Sequence, residues 1–265
     1  MKTACFALAA VAIAGMAAVS GQQGAKEASH TVGYLTRYLK ESGIPDMVRV
    51  LPTAPPAGTP RDNADRVIFK TTRALQDSPR WKLAQSDNDM SVTGMLAAFR
   101  CAIGMTVTRG NAPHFAALLD RVSEDANILT GPPKAHYHRD RPFLKDAGPV
   151  CVMRPDTPDF PSGHSTFGWA TGLILAEIMP DRASEVLTRG RSFGESRVVC
   201  GVHTASAVEG GRIVGAALVA TLNSIGEFRA DLEAVKAELG GLRRNPPAPP
   251  ANCAAEAALI ANTPY

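Results

Sequence analysis

Several things are missing from this sequence. No stretch alternates apolar and polar residues for more than a few positions, so there is little material for a sheet. No run of Lys and Arg is long enough to make a basic face, and the net charge is only +3, which argues against a nucleic-acid partner. Cysteines number five, and they are scattered rather than gathered in the close pairs of a zinc site. There is no internal repeat. Beyond the first twenty residues, no segment looks long and apolar enough to span a bilayer.

What is present points to a globular helical protein. Of 265 residues, 45% are hydrophobic and 20% charged, and alanine is abundant. Lys2 precedes an apolar run from Ala4 to Val19, followed by Ser20 and the polar Gly21-Gln22-Gln23. That pattern reads as a signal peptide over 1–20, which places the mature chain in the periplasm or outside the cell. Cys5 lies within that leader. The remaining Cys101, Cys151, Cys200 and Cys253 are an even number for an oxidising compartment. Two disulfides in any of three pairings, or buried free thiols, are open.

Apolar spacing of three and four predicts helices from Val32 to Leu39, Asp62 to Leu75, Met90 to Val107, Ala112 to Leu129, Phe167 to Met179 and Leu232 to Leu242. Pro52 to Pro60 reads as a loop, and the proline-rich 245–252 as an extended linker. The fold class expected is all-α, a single-domain helical bundle over 30–242, with a Pro/Ala-rich tail over 243–265.

Three segments carry chemistry. In Lys134-Ala135-His136-Tyr137-His138-Arg139-Asp140-Arg141-Pro142, proline suits both the start and the stop of a helix. Lys134 and Arg141 would then lie two turns apart on one face, as a clamp for an oxyanion. In Pro161-Ser162-Gly163-His164, a small-residue loop runs into an apolar helix. It offers free N–H groups, the positive end of the helix and a histidine able to donate a proton. In Ser196-Arg197-Val198-Val199-Cys200-Gly201-Val202-His203, an arginine beside a buried-looking run calls for an anion. Each segment alone also suits an ordinary role, respectively a solvated turn, a helix cap and a satisfied core histidine.

Taken in order, Lys-x6-Arg-Pro, then Pro-Ser-Gly-His after residues 143–160, then Ser-Arg-x5-His after residues 165–195, the three resemble one family. This is the phosphatidic acid phosphatase type 2 / vanadium haloperoxidase superfamily, and within it the bacterial class A non-specific acid phosphatases. Segments such as Ser78-Pro79-Arg80-Trp81 and Arg189-Gly190-Arg191-Ser192-Phe193-Gly194 extend the likeness over roughly 60–240. The resemblance implies that Lys134, Arg141, Ser162, Gly163 and Arg197 hold phosphate. It implies that His203 attacks phosphorus to form a phosphohistidine and that His164 protonates the leaving alkoxide. It implies no metal and no cofactor, because cationic side chains neutralise the phosphoryl oxygens. The substrates implied are small phosphate monoesters, without nucleic acid, and without a membrane once the leader is removed; a homo-oligomer is compatible.

One departure stands out. The family's third motif continues His-x3-Asp, the aspartate accepting a hydrogen bond from the nucleophilic imidazole, but here residue 207 is alanine. An imidazole without that partner predicts a weakened enzyme. Ser206 or Glu209 could substitute, although Glu209 would point about 120° away on helical spacing. A catalytically impaired phosphate-binding protein and a vanadate-dependent haloperoxidase are the alternative functions. His136, His138, His114 and His30 read as incidental, and Asp87 and Asp89 as a loop and helix entrance.

Overall fold

The computed structural model describes Met1 and residues 37–265; the leader, Cys5 and His30 lie outside the described residues. Eleven α-helices and no strand are found among those residues. They are α1 Met47–Val50, α2 Pro60–Thr72, α3 Pro79–Ser86, α4 Val92–Ile103, α5 Pro113–Tyr137 and α6 Pro142–Lys145. Then come α7 Gly163–Ile178, α8 Ala183–Val199, α9 Ala205–Leu222, α10 Gly226–Arg244 and α11 Cys253–Ile260.

Local chemistry sets the helix starts. Pro60, Pro79, Pro113 and Pro142 each open a helix, where the missing N–H costs nothing. Side chains of Ser78, Ser91, Ser162 and Thr204 cap α3, α4, α7 and α9 by accepting N–H bonds from three residues ahead.

Helices α7 and α8 are joined by a short 3₁₀ turn and pack along their lengths as an antiparallel hairpin around Phe167, Ile174, Val186 and Phe193. Helix α9 follows after a five-residue turn and lies against α7. A Cβ at Gly211 would sit 2.5 Å from the carbonyl oxygen of Ser162, so glycine permits that approach. The start of α7, the end of α8 and the start of α9 are therefore brought to one place. A main core built on Phe99, Phe115, Phe167, Phe193 and Phe228 supports them. A smaller cluster of Phe69, Trp81, Phe143, Val199, Cys200 and Val202 lies under the α8–α9 turn.

The structure corrects several sequence expectations. Residues 37–40 are not helical: the chain bends at Tyr38, where the N–H groups of Tyr38 and Leu39 are claimed by the Asp125 carboxylate at 3.0 Å each. The Lys134–Arg141 segment is not one helix. Helix α5 passes through Pro132 and Pro133 and ends at His138, which has φ of 45°, while Pro142 starts a helix instead of stopping one. The helix survives its prolines because its apolar face continues: Leu129 and Pro133 are buried, and Tyr137 packs edge-on against Phe160 at 5.4 Å. Helix α10 begins at Gly226, six residues earlier than expected, and buries Phe228. Contrary to the sequence expectation, α9 is long and apolar enough to cross a membrane, but most of it is buried as a core helix.

The four cysteines among the described residues pair as Cys101–Cys253 and Cys151–Cys200, with Cα separations of 5.2 and 4.7 Å. The tail folds back: besides its disulfide, it meets Arg191 through the Ile260 carbonyl at 2.6 Å and Arg189 through Glu256 at 3.2 Å.

Candidate active site

The seven residues marked by the motifs lie on α5, α7 and α8, in the segment before α6 and in the turn between α8 and α9. Lys134 comes from the last turn of α5 and Arg141 from the segment before α6. Ser162, Gly163 and His164 form the start of α7, Arg197 lies in the last turn of α8, and His203 sits in the α8–α9 turn. The cations of Arg141, Lys134 and Arg197 all act on His203, and both Arg197 and Arg141 act on His164.

Arg197 is 2% exposed. Its Nη2 donates to the Asn88 side chain at 3.0 Å, while Nε and Nη1 find no partner among the described residues. Unpaired guanidinium nitrogens at that depth are costly unless an anion completes them. Burial lowers its pKa to about 10, which leaves it cationic in acid. Lys134 donates to the Pro158 carbonyl at 2.6 Å, which leaves two ammonium protons for another acceptor. Arg141 is largely engaged, donating to Thr157 O at 2.6 Å, Thr157 Oγ1 at 2.8 Å and Val202 O at 2.5 Å. At Gly163 nothing among the described residues lies within 4 Å of where a Cβ would stand, so the α7 N-terminus faces open space. The first N–H groups of α7 lack acceptors within the helix, as at any helix start.

The His203 imidazole has a carboxylate partner after all, which corrects the expectation drawn from Ala207. Its Nδ1 lies 3.0 Å from Asp159 Oδ1. Glu209 is on the surface, paired with Arg61, and the Ser206 hydroxyl is taken by Asp65 and Arg139. Nothing in the spacing of Asp159 links it to His203, 44 residues later, so the sequence carries no signal for the pair. Pro158 and Thr157 beside it are gripped by Lys134 and Arg141, so the loop reaches the site through the same cations.

Both histidines are pushed well below the ordinary imidazole pKa. For His203 the causes are burial and then the charges of Arg141, Lys134 and Arg197, opposed by Asp159. For His164 they are burial and Arg197, opposed by the Asn88 carbonyl, 3.2 Å from Nε2. A carbonyl only accepts, so Nε2 carries hydrogen and Nδ1 is left for exchange with a ligand.

Asn88 is another residue that sequence reasoning missed. It touches both His164 and Arg197 and is held by its neighbour Asp87, which is buried and ion-paired with Arg189 and accepts from Ser196 Oγ at 2.6 Å. Asp87 does stand at the entrance of the loop between α3 and α4, and from there it anchors the site's far wall. Asp89 accepts the Ser91 N–H at 2.9 Å. On the near side, Arg73 donates to the carbonyls of Pro149, Val198 and Val199 at 2.6 to 2.8 Å, closing the end of α8 just before His203.

A model of the PAP2 superfamily matches residues 117–230, a span that takes in all three motifs. The acid phosphatase of Zymomonas mobilis subsp. mobilis is 37% identical over 199 residues, covering 73% of this chain and 75% of that protein. The chain belongs to the PAP2 superfamily. Within it, the non-specific acid phosphatase of Providencia stuartii is 35% identical, covering 78% of this chain and 86% of that protein. That of Salmonella typhimurium is 34% identical, with 71% and 78% covered. The PAP2 fold is seen too in the crystal structure of a bacterial vanadium-dependent iodoperoxidase. It has a TM-score of 0.51 and 15% identity, covering 71% of this chain and 55% of that one. This likeness bears on the fold alone.

Proposed function

We propose that this PAP2 protein is an exported acid phosphatase that hydrolyses small phosphate monoesters through a phosphohistidine on His203. Kinship with the acid phosphatases makes it a phosphoric monoester hydrolase. The observation that carries the chemistry is Arg197, buried beside His203 with two nitrogens unpaired among the described residues.

In this reading Lys134, Arg141, Arg197 and the N–H groups around Ser162 and Gly163 hold the phosphoryl oxygens. Nε2 of His203 attacks phosphorus as the P–O bond to the alcohol breaks, and His164 gives its proton to the departing oxygen. His164 then takes a proton from water as the water oxygen bonds to phosphorus. The P–N bond breaks, releasing inorganic phosphate and restoring both histidines. The cations around His203 keep it neutral, hence nucleophilic, in acid where an ordinary imidazole would be protonated. An anion in the pocket offsets those cations and raises the proton affinity of His164, arming it as the acid.

The same side chains supply the neutralisation that metal ions supply elsewhere, so p-nitrophenyl phosphate hydrolysis at acidic pH should persist in EDTA and vanish in His203→Ala. Activity abolished by EDTA would contradict this mechanism. A binding-only role loses its motive once His203 has a carboxylate. For the haloperoxidase alternative, bromide or chloride oxidation with added vanadate and hydrogen peroxide is expected to be absent. Export is checked by sequencing the mature N-terminus, expected near Gly21.

A further inference from the structure

We infer that Asp159 is the positioning residue for His203, so that the carboxylate missing at position 207 is supplied from the loop before α7. This inference rests on the reading of His203 as the nucleophile.

Asp159 is 0% exposed, and each of its oxygens faces a donor that cannot accept. Oδ1 receives the Thr204 N–H at 3.1 Å as well as His203; Oδ2 receives Arg139 Nη1 at 3.4 Å and the Thr204 hydroxyl at 2.6 Å. The Thr204 N–H and Arg139 can only donate, and the Thr204 hydroxyl already accepts from Arg139 and the Ala207 N–H and so turns its own proton to Oδ2; the group is a carboxylate, although burial presses the other way. An ionised Oδ1 fixes the hydrogen of a neutral imidazole on Nδ1. The Nε2 lone pair is then free for phosphorus, and the carboxylate stabilises the cationic ring formed on attack.

A built support holds Asp159 in place. Arg139 is 8% exposed, donates to Asp62 at 3.0 Å and Asp65 at 2.9 Å, and also reaches the hydroxyls of Thr204 and Ser206 at 2.7 Å each. Position 207 borders the same spot: its N–H donates at 3.2 Å to the Thr204 hydroxyl that bonds Asp159. Ala207 itself is buried in the apolar core. A second carboxylate at 207 would add negative charge near the Thr204 hydroxyl that bonds Asp159, where Arg139 is already shared among Asp62, Asp65 and Asp159, so the two acidic positions compete.

The test is an exchange experiment on Asp159→Asn, Asp159→Ser, Ala207→Asp and the double variant Asp159→Ser/Ala207→Asp, with His203→Ala as reference. Asp159→Asn should lower kcat by about 10²- to 10⁴-fold while KM and inhibition by inorganic phosphate change little. It should also move the acidic limb of kcat/KM to lower pH. The carboxylate is the one neighbour that raises the His203 pKa against Lys134, Arg141 and Arg197, with His164 across the pocket. Ala207→Asp alone should not raise turnover, whereas in the double variant it should restore at least tenfold over Asp159→Ser. Near-normal kcat in a folded Asp159→Asn, or an Asp159→Ser defect that the double variant leaves untouched, would overturn the inference. If His203→Ala keeps full activity, it is the phosphohistidine reading that fails.

Discussion

Lys134 shows how burial sets chemistry at a single residue. Desolvation, with repulsion from Arg141, brings its pKa down to about 8 against the pull of Asp159. The ammonium is cationic below that value and loses its charge as pH rises through it. Affinity for inorganic phosphate should therefore weaken above about pH 8, by up to tenfold per pH unit. In Lys134→Arg, which stays charged, the fall should be shallower. Calorimetric titration from pH 6 to 9 checks both curves. Arg197→Ala leaves the phosphate without its deepest donor and should lower kcat/KM by at least 10²-fold with the fold intact. These residues were legible in the sequence because their motifs keep fixed spacing along the chain. Asp159, Asn88 and Arg139 were not, because their partners are assembled across 44, 76 to 109 and up to 77 residues.

Among the elements, the turn from α8 to α9 matters most, since it carries His203. Gly201 takes φ of +74°, and a Cβ there would stand 2.5 Å from Arg73 Nη1. Arg73 in turn satisfies the carbonyls that end α8. Arg73→Ala should cost about 1–3 kcal/mol in urea unfolding and lower kcat as well, by releasing the turn. The two disulfides should separate in their effects. Removing Cys101–Cys253 unties the tail and should cost about 2–4 kcal/mol with kcat little changed. Removing Cys151–Cys200 should also lower kcat, because Cys200 lies in the turn three residues before His203. Apolar spacing revealed α2, α4, α5, α7 and α10, but not α3, α8 or α9. The course of α5 was not legible, because two prolines in mid-helix mark a break in sequence terms, and only the packing of Leu129, Pro133 and Tyr137 outweighs them. The Tyr38–Leu39 segment was misread for a similar reason: its apolar spacing is helical, but Asp125 binds its N–H groups from another helix.

At the scale of the whole molecule, the helices form a frame that sets buried cations against buried carboxylates. The charges of Lys134, Arg141 and Arg197 act on His203, while Asp159, backed by Arg139 with Asp62 and Asp65, bonds its Nδ1. On the proposed reading the phosphate dianion binds among these cations, and no fold-level likeness alone would have located that place. The account turns on a phosphoryl group passing through His203. The most direct measurement is to mix enzyme with labelled p-nitrophenyl phosphate, quench in alkaline detergent and isolate the chain. The account predicts label on the wild-type chain that survives base and is lost in acid, as a phosphoramidate should be, with none on His203→Ala. Turnover without any label on the chain, or label undiminished in His203→Ala, would contradict it.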